Sequence, residues 1–357
     1  MSSAMQVNAG GLLIGGGAPV SVQSMTNTRT SDVPATLAQI RELARAGAAL
    51  VRVAVPDREA ALALPAIIEA SPVPLAADIH FHAELAMKAL EAGIHKLRLN
   101  PGNIRRKRDV LRIAELAGKL AVPIRIGVNS GSIPGDLRAR FGMGADAMWA
   151  AAERHLELLR EADFSAVVLS LKASDPMLAV KANRKAGALC DHPIHLGVTE
   201  AGPPSTAGIR SAVAMALLLS QGIGDTLRVS ISGSPVLEPA AGLEILSSLG
   251  MLRRARVVSC PTCARSRLDV AALAGEVGAA LAGCETPITV AVMGCEVNGP
   301  GEAREADIAL IGTPGGISLW RSGAVVQEVA PGEALETLLR EIARFSAQGG
   351  CCERERN

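Results

Sequence analysis

The sequence predicts an α/β protein: a (β/α)8 TIM-type barrel followed by a small α/β domain that carries a cysteine motif. Three observations predict it. Eight short β-branched runs recur through the first two thirds of the chain, each followed by an Ala/Leu-rich helical stretch. Four of those runs hold one arginine between two aliphatic residues. The cysteines with ligand-like spacing all fall beyond the last run.

The strand runs are Val20–Met25, Leu50–Val55, Leu75–His80, Lys96–Asn100, Pro123–Asn129, Ala166–Lys172, Ile194–Glu200 and Thr226–Ser232. Eight strand–helix repeats over roughly 250 residues fit a closed parallel barrel. A doubly wound open sheet usually has fewer units and often a glycine-rich loop after its first strand. Here the glycine-rich segment Gly10–Gly17 precedes the first strand. It is expected to form a hairpin that plugs the barrel bottom. Glu238–Leu252 reads as the last barrel helix, which gives a barrel domain of residues 1–255 and a second domain of residues 256–357. In the second domain, Val257 with Val258, Ile288–Met293 and Ile308–Ile311 read as strands. Asp269–Leu281 and Glu333–Phe345 read as helices.

A chain of 357 residues, 49% of them hydrophobic, can bury two cores. Aromatic residues are only 2%, with no Tyr, so base-stacking platforms for nucleic acid are excluded. A formal net charge of +1 gives no global pull toward a polyanion. No Lys or Arg precedes Arg29, so neither a signal nor a transit peptide is expected. No apolar run reaches the length of a membrane span. The protein is therefore expected in the cytoplasm, where seven cysteines favour metal or redox roles over disulfides. Cys190, Cys284, Cys351 and Cys352 lack ligand-like surroundings and read as ordinary thiols.

The strand arginines are Arg52, Arg98, Arg125 and Arg228, and Lys172 ends a fifth strand. A charge inside a strand is costly to bury unless it is paired. Residues near the C-terminal ends of barrel strands reach the mouth, where barrel enzymes keep their sites. A ring of cations there suits an anion with several oxygens, such as a phosphate or diphosphate. The plainer alternative is a buried ion-pair lattice, with Asp78 and Glu200 as partners. Two carboxylates cannot neutralise five cations. Gln23, Ser24, Thr26, Asn100, Asn129, Ser230 and Ser232 sit at the same strand ends and could hold hydroxyls. His80 and His195 end strands and stand as candidates beside them. The basic run Arg105–Arg108 reads as a solvated patch.

Cys260-Pro261-Thr262-Cys263 is followed, about thirty residues later, by Gly294-Cys295-Glu296-Val297-Asn298-Gly299-Pro300-Gly301-Glu302. Structural zinc usually takes four ligands, often from two paired hooks. One hook, one further Cys and a Glu suit a cubane iron–sulfur cluster with one open iron better. A thioredoxin-like dithiol would leave Cys295 unexplained. Glu302 follows a Gly-Pro-Gly turn that would aim it, and a carboxylate is a displaceable partner for iron and a proton carrier. The last barrel helix should run back toward the barrel bottom, so a cluster serving the mouth is expected to come from a second copy in a head-to-tail dimer.

Several segments carry a family resemblance. They are Gln23–Thr28, Ala77–Phe81, Arg98–Asn103, Ile124–Asn129, Lys172–Asp175, His195–Gly202 and the two cysteine motifs. In chain order from about Val20 to Glu302, they resemble the bacterial 4-hydroxy-3-methylbut-2-enyl diphosphate synthases. The resemblance implies reductive opening and dehydration of 2-C-methyl-D-erythritol 2,4-cyclodiphosphate in isoprenoid biosynthesis. It implies a [4Fe–4S] cluster on Cys260, Cys263 and Cys295, with Glu302 at the fourth iron. Arg52, Arg98, Arg125, Asn129, Lys172, Arg228 and Ser230 would hold the diphosphate. Asp78, His80, His195 and Glu200 would line the mouth, and Glu302 would help protonate the departing hydroxyl. Flavodoxin or ferredoxin would supply electrons to a head-to-tail homodimer. The stretch Gly312–Gly323 lacks the lysines and tyrosine of such relatives. Two rivals stay open: a zinc-bearing barrel enzyme for a phosphorylated or pterin substrate, and a cluster-bearing electron carrier or redox sensor.

Overall fold

A computed structural model describes residues 3–100, 103–104, 106–281, 284 and 286–347. Cys351, Cys352, Pro101, Gly102 and Arg105 lie outside the described residues. The chain divides into two compact units, Met1–Met251 and Leu252–Asn357.

The first unit opens with a hairpin, β1 (Gln6–Ala9) and β2 (Leu12–Gly15), paired antiparallel. Gly10 and Gly11 take φ of 62° and 93°, the left-handed turn that glycine adopts without strain. Val7, Ala9 and Ile14 pack against Leu50, Ala76 and Val168 of three barrel strands. The expected plug is therefore present, and it is built from residues on both sides of the glycines.

Eight strands follow: β3 (Ser21–Met25), β4 (Leu50–Ala54), β5 (Leu75–Ile79), β6 (Lys96–Leu99), β7 (Ile124–Asn129), β8 (Val167–Lys172), β9 (His195–Leu196) and β10 (Thr226–Leu227). They pair in parallel in the order β8-β7-β6-β5-β4-β3-β10-β9. A bridge from Leu169 to Ile194, just before β9, closes the ring. The helices between them are α1 (Val33–Arg45), α2 (Arg58–Ala70), α3 (Ala83–Glu91), α4 (Lys107–Lys119), α5 (Gly135–Phe141), α6 (Ala145–Glu161), α7 (Pro176–Leu189), α8 (Pro204–Leu219) and α9 (Leu237–Ser248). Three helix starts are written locally: Asp32, Asp57 and Asp175 accept from Ala35 N, Ala60 N and Met177 N. The barrel matches the expected fold, but its last two strands are two residues each. Beyond them the backbone bonds elsewhere: Ile231 N donates to Glu238 Oε1 at 3.2 Å and Ser232 N to Gly202 O at 3.0 Å.

The second unit is a five-stranded sheet in the order β11 (Arg256–Ser259), β12 (Thr289–Met293), β13 (Ile308–Thr313), β14 (Gly316–Arg321) and β15 (Ala324–Val329). The first three strands run parallel and the last three form an antiparallel meander. The helices are α10 (Val270–Leu281), α11 (Gly299–Glu305) and α12 (Ala334–Ala347). Val277, Leu281, Val290, Leu310, Leu319 and Leu338 anchor the core. The sequence reading missed β14, β15 and α11. Ser322 and Gly323, with φ of 49° and 83°, make the left-handed hairpin turn between the two missed strands. Among the described residues no helix is long and apolar enough to cross a membrane.

Candidate functional site

Strand register builds the candidate site of the first unit. Asp78 on β5 lies beside Arg98 on β6, and Arg98 beside Arg125 on β7. Asn129 on β7 lies beside Lys172 on β8. Because strand side chains alternate, these residues share the inward face. They enclose a cavity of about 230 Å³ with Arg52, His80, Gly127, Ser170, Thr199, Arg228 and Ser230. Nine of the eleven barrel residues predicted from sequence thus meet in one wall.

Two carboxylates order the cations. Arg98 Nη1 donates to Asp78 Oδ1 at 2.9 Å, and Arg52 Nε stands 3.5 Å from Asp78 Oδ2. Arg228 grips Glu238 through two bonds, at 2.9 Å from Nε and 2.7 Å from Nη2. Glu238 is 1% exposed and also accepts from Ser24 Oγ at 2.8 Å. Glu238 is the residue that sequence reasoning missed, since an acid in the first turn of a helix ordinarily faces solvent and the helix dipole. The expected partner Glu200 does not line the cavity. It is exposed, with φ of 54°, on the loop after β9. His195 is also absent from the cavity wall. It is wholly buried, with neither ring nitrogen bonded among the described residues.

Five cations facing two carboxylates leave an excess of three positive charges when all are ionised. Arg125 is 1% exposed, and its Nε and Nη1 have no partner among the described residues. Two glycines make room for this crowding. A Cβ on Gly127 would lie 2.7 Å from Arg98 Nε, and one on Gly197 2.6 Å from Lys172 Nζ. Burial pulls Arg52 down to about 10; Asp78 opposes the shift, and Arg228 and Arg98 add to it. Burial and neighbouring cations hold Lys172 and Arg125 well below their ordinary values. For Asp78, burial acts to raise the pKa. Arg52, the His80 hydrogen bond and Arg98 outweigh burial and hold the carboxyl well below its usual range. His195 is pushed far down by burial and by Lys172, Arg125 and Lys96, so it is neutral at neutral pH. A bound polyanion would relieve every one of these cationic strains at once.

His80 bridges the wall to its rim: its Nε2 lies 3.3 Å from Arg98 Nη1 and its Nδ1 3.1 Å from Asn103 Nδ2. Two further histidines hold backbone groups of the barrel. His95 Nδ1 accepts from Leu75 N at 3.0 Å, and His155 Nε2 bonds Ile104 O at 3.0 Å. From the basic run, Lys107 pairs with Glu161 at the surface.

The thiols lie in the second unit. β11 and β12 are parallel neighbours, with Ser259 beside Val292, so Cys260 and Cys295 leave the same end of the sheet. Gly294 N donates to Cys260 Sγ at 3.2 Å. Arg267 N donates to Gly294 O at 2.8 Å, which pins the two loops together. Only glycine fits there, because a Cβ on Gly294 would lie 2.4 Å from Ser266 Oγ. Cys260 and Cys295 are half-buried and Cys263 is exposed. Gly299, Pro300 and Gly301 form the first turn of α11 rather than a free turn, so Glu302 is aimed by a helix. Gly299 permits this helix to sit on β13, since a Cβ there would lie 2.5 Å from Ile311 Cγ2. Among the described residues, no three His, Cys, Asp or Glu side chains stand grouped to hold a metal. The donor set still fits an iron–sulfur group: soft thiols on loops pinned to each other, one already receiving a backbone N–H.

Known proteins resemble this chain along most of its length. Residues 4–243 match the GcpE TIM-barrel domain and residues 256–344 the GcpE protein C-terminal domain. The chain is 49% identical to the 4-hydroxy-3-methylbut-2-en-1-yl diphosphate synthase (flavodoxin) of Salinispora tropica, over 97% of this chain and 89% of the relative. It is 48% identical to the enzyme of the same name from Natranaerobius thermophilus, over 95% of this chain and 96% of the relative. Among solved structures, Yersinia pestis dihydropteroate synthase superposes with a TM-score of 0.50 at 17% identity, covering 70% of this chain and 98% of that one. That likeness concerns the barrel fold alone. With both family domains matched in order and near-half identity along almost the whole chain, this protein belongs to the GcpE family.

Proposed function

We propose that this protein is an oxidoreductase of isoprenoid biosynthesis. It converts 2-C-methyl-D-erythritol 2,4-cyclodiphosphate to 4-hydroxy-3-methylbut-2-enyl diphosphate. The observation that carries this assignment is the buried cavity in which five cations face two carboxylates. The reaction balances with two electrons and two protons entering. The bond from ring carbon to phosphate oxygen breaks, and a hydroxyl leaves as water.

In this assignment Arg52, Arg98, Arg125, Lys172 and Arg228 hold the diphosphate, and Asn129 and Ser230 take its remaining oxygens or hydroxyls. Asp78 and Glu238 orient the guanidinium groups they pair with. Cys260, Cys263 and Cys295 hold a [4Fe–4S] cluster, with Glu302 as its fourth, displaceable ligand. When bound, that cluster supplies the two electrons, received from a flavodoxin or ferredoxin in the cytoplasm. Glu302 delivers the proton that leaves with the hydroxyl. His80 handles hydrogen bonds at the cavity wall. Glu200 and His195 keep their roles on the family resemblance alone.

The anion cavity belongs to the first unit and the thiols to the second. Turnover needs both, and we place them on two copies in a head-to-tail homodimer. Mixing a Cys295→Ser chain with an Arg125→Ala chain should restore activity in hybrids; a mixture as dead as its parts would end the dimer assignment. The function itself is tested by anaerobic, iron-loaded protein with the cyclodiphosphate and an artificial reductant. The expected result is formation of the linear diphosphate, and a chain that holds iron yet leaves the cyclodiphosphate intact would overturn it.

A further inference from the structure

Charge in the second unit is sorted, not mixed. Between residues 252 and 267 stand Arg253, Arg254, Arg256, Arg265 and Arg267, with no Asp or Glu. Between residues 268 and 347 stand eleven Asp and Glu against four Arg, with no Lys. The positive segment is the one that carries Cys260 and Cys263.

The structure keeps this segment at the surface. β11 is an edge strand of the five-stranded sheet, and Arg253, Arg256, Arg265 and Arg267 are exposed. Cys263, between the two pairs of exposed arginines in sequence, is exposed as well. An exposed edge strand is often protected by a charge, and Arg256 can serve that purpose. Edge protection does not account for Arg265 and Arg267, which lie past the strand in the turn after the hook. Nor does local neutralisation: Arg267 lies 3.8 Å from Glu296 with both side chains 47% exposed, a weak solvated pair.

Exposed arginines on either side of an exposed thiol loop in sequence, Arg253 and Arg256 before the hook and Arg265 and Arg267 after it, on an otherwise acidic unit, fit a visitor with the opposite sign. We infer that the arginine face around Cys260 and Cys263 is the docking surface for a small acidic electron-carrier protein. This rests on the cluster assignment above. Complementary charge would steer the carrier to the β11 edge, where Cys263 is exposed, and would orient it there. Rim charges act chiefly on encounter and are screened by salt, so the effect must be ionic-strength dependent.

The test uses the full-length, anaerobically iron-loaded protein and purified flavodoxin as the probe. Binding is followed by titration, and turnover is measured with flavodoxin and separately with an artificial reductant. For the Arg253→Glu/Arg265→Glu variant at low salt, flavodoxin affinity should fall about tenfold, the order expected of reversed rim charges. Raising the salt should weaken wild-type binding by a similar factor and leave the variant nearly unmoved. Arg340→Glu, a charge reversal on α12, should leave binding as in wild type. Turnover with the artificial reductant should be unchanged in all three. Unchanged flavodoxin affinity in the double variant overturns the docking surface. So does an equal loss of turnover with both reductants, which would assign these arginines to the site itself or to a second copy of the chain. If wild type turns over with neither reductant, the function assignment fails, and the titration still decides whether this face binds the carrier.

Discussion

The barrel mouth, in the first unit, and the thiol loops, in the second, are built in opposite ways. The mouth is finished before any ligand arrives. Its cations are buried, registered by neighbouring strands and braced by Asp78 and Glu238. The thiol loops are pinned by backbone bonds, but their donors are not drawn into one group and Cys263 is exposed. The contrast teaches where each region finds its folding energy. A barrel core can hold like charges in place and store their repulsion for a polyanion to release. The thiol loops have no such core around them: Cys260 and Cys295 are half-buried and Cys263 is exposed.

The largest test of this contrast is Cys295→Ser. It should abolish the visible cluster absorption and bound iron, with turnover lost, while diphosphate binding to the barrel stays within about twofold of wild type, because every residue assigned to the diphosphate lies in the first unit. A variant that loses anion binding along with iron would merge the two regions. Next is Glu302→Gln, expected to keep the iron and lower kcat about 100-fold, the low end for a lost proton donor. Iron analysis beside steady-state kinetics separates the two readouts, and a near-wild-type kcat would remove Glu302 from proton delivery.

Arg125→Met sharpens the comparison from the other side. Diphosphate affinity should fall roughly 30-fold, as one charge-assisted contact worth about 2 kcal/mol is lost. The ligand-free protein should meanwhile melt at a higher temperature, because a buried, unneutralised charge has been replaced by an apolar chain. Calorimetry showing a lower melting temperature would mean that Arg125 is neutralised inside the protein after all.

The smallest effects are those of pH. Burial lowers the Lys172 pKa below its ordinary value, so diphosphate affinity should decline as alkaline pH deprotonates it. That decline should begin below 10.5, the value of a free lysine, and it should vanish in Lys172→Met. Asp78 gives the opposite limb. Its folded pKa is depressed, so its contribution to stability is present above 3.8 and is lost as pH falls through the lower folded value. Melting curves of Asp78→Asn against wild type between about pH 2 and pH 5 would show whether that acid limb belongs to Asp78.

Much of the mouth was legible from the chain. Arg52, Arg98, Arg125 and Arg228 sit between aliphatics, and a period of two puts them all on one face once the strands are recognised. Glu200 entered as a counter-ion only in the ion-pair alternative, because it closes a strand-like run. The strand ends at Leu196, and a left-handed residue carries Glu200 to the surface instead. His195 looked like a mouth residue for the same reason, yet it sits wholly inside the barrel. In the second unit the cysteine hook was plain, whereas α11 was hidden because Gly299, Pro300 and Gly301 spell a turn by local preference. Packing on Ile311 makes them helical.

Local pattern determined the order of strands and helices, the inward set of arginines and the pairing of hook with Gly-Cys loop, because each is written within a few residues. Tertiary structure alone decided which charges meet. Ser24 joins the Arg228–Glu238 pair from 214 residues away, because ring closure brings β3 beside β10 and lays the start of α9 against β3. Which distant groups gather on one carboxylate depends on where the ring closes, and Ser24 carries no local sign of it.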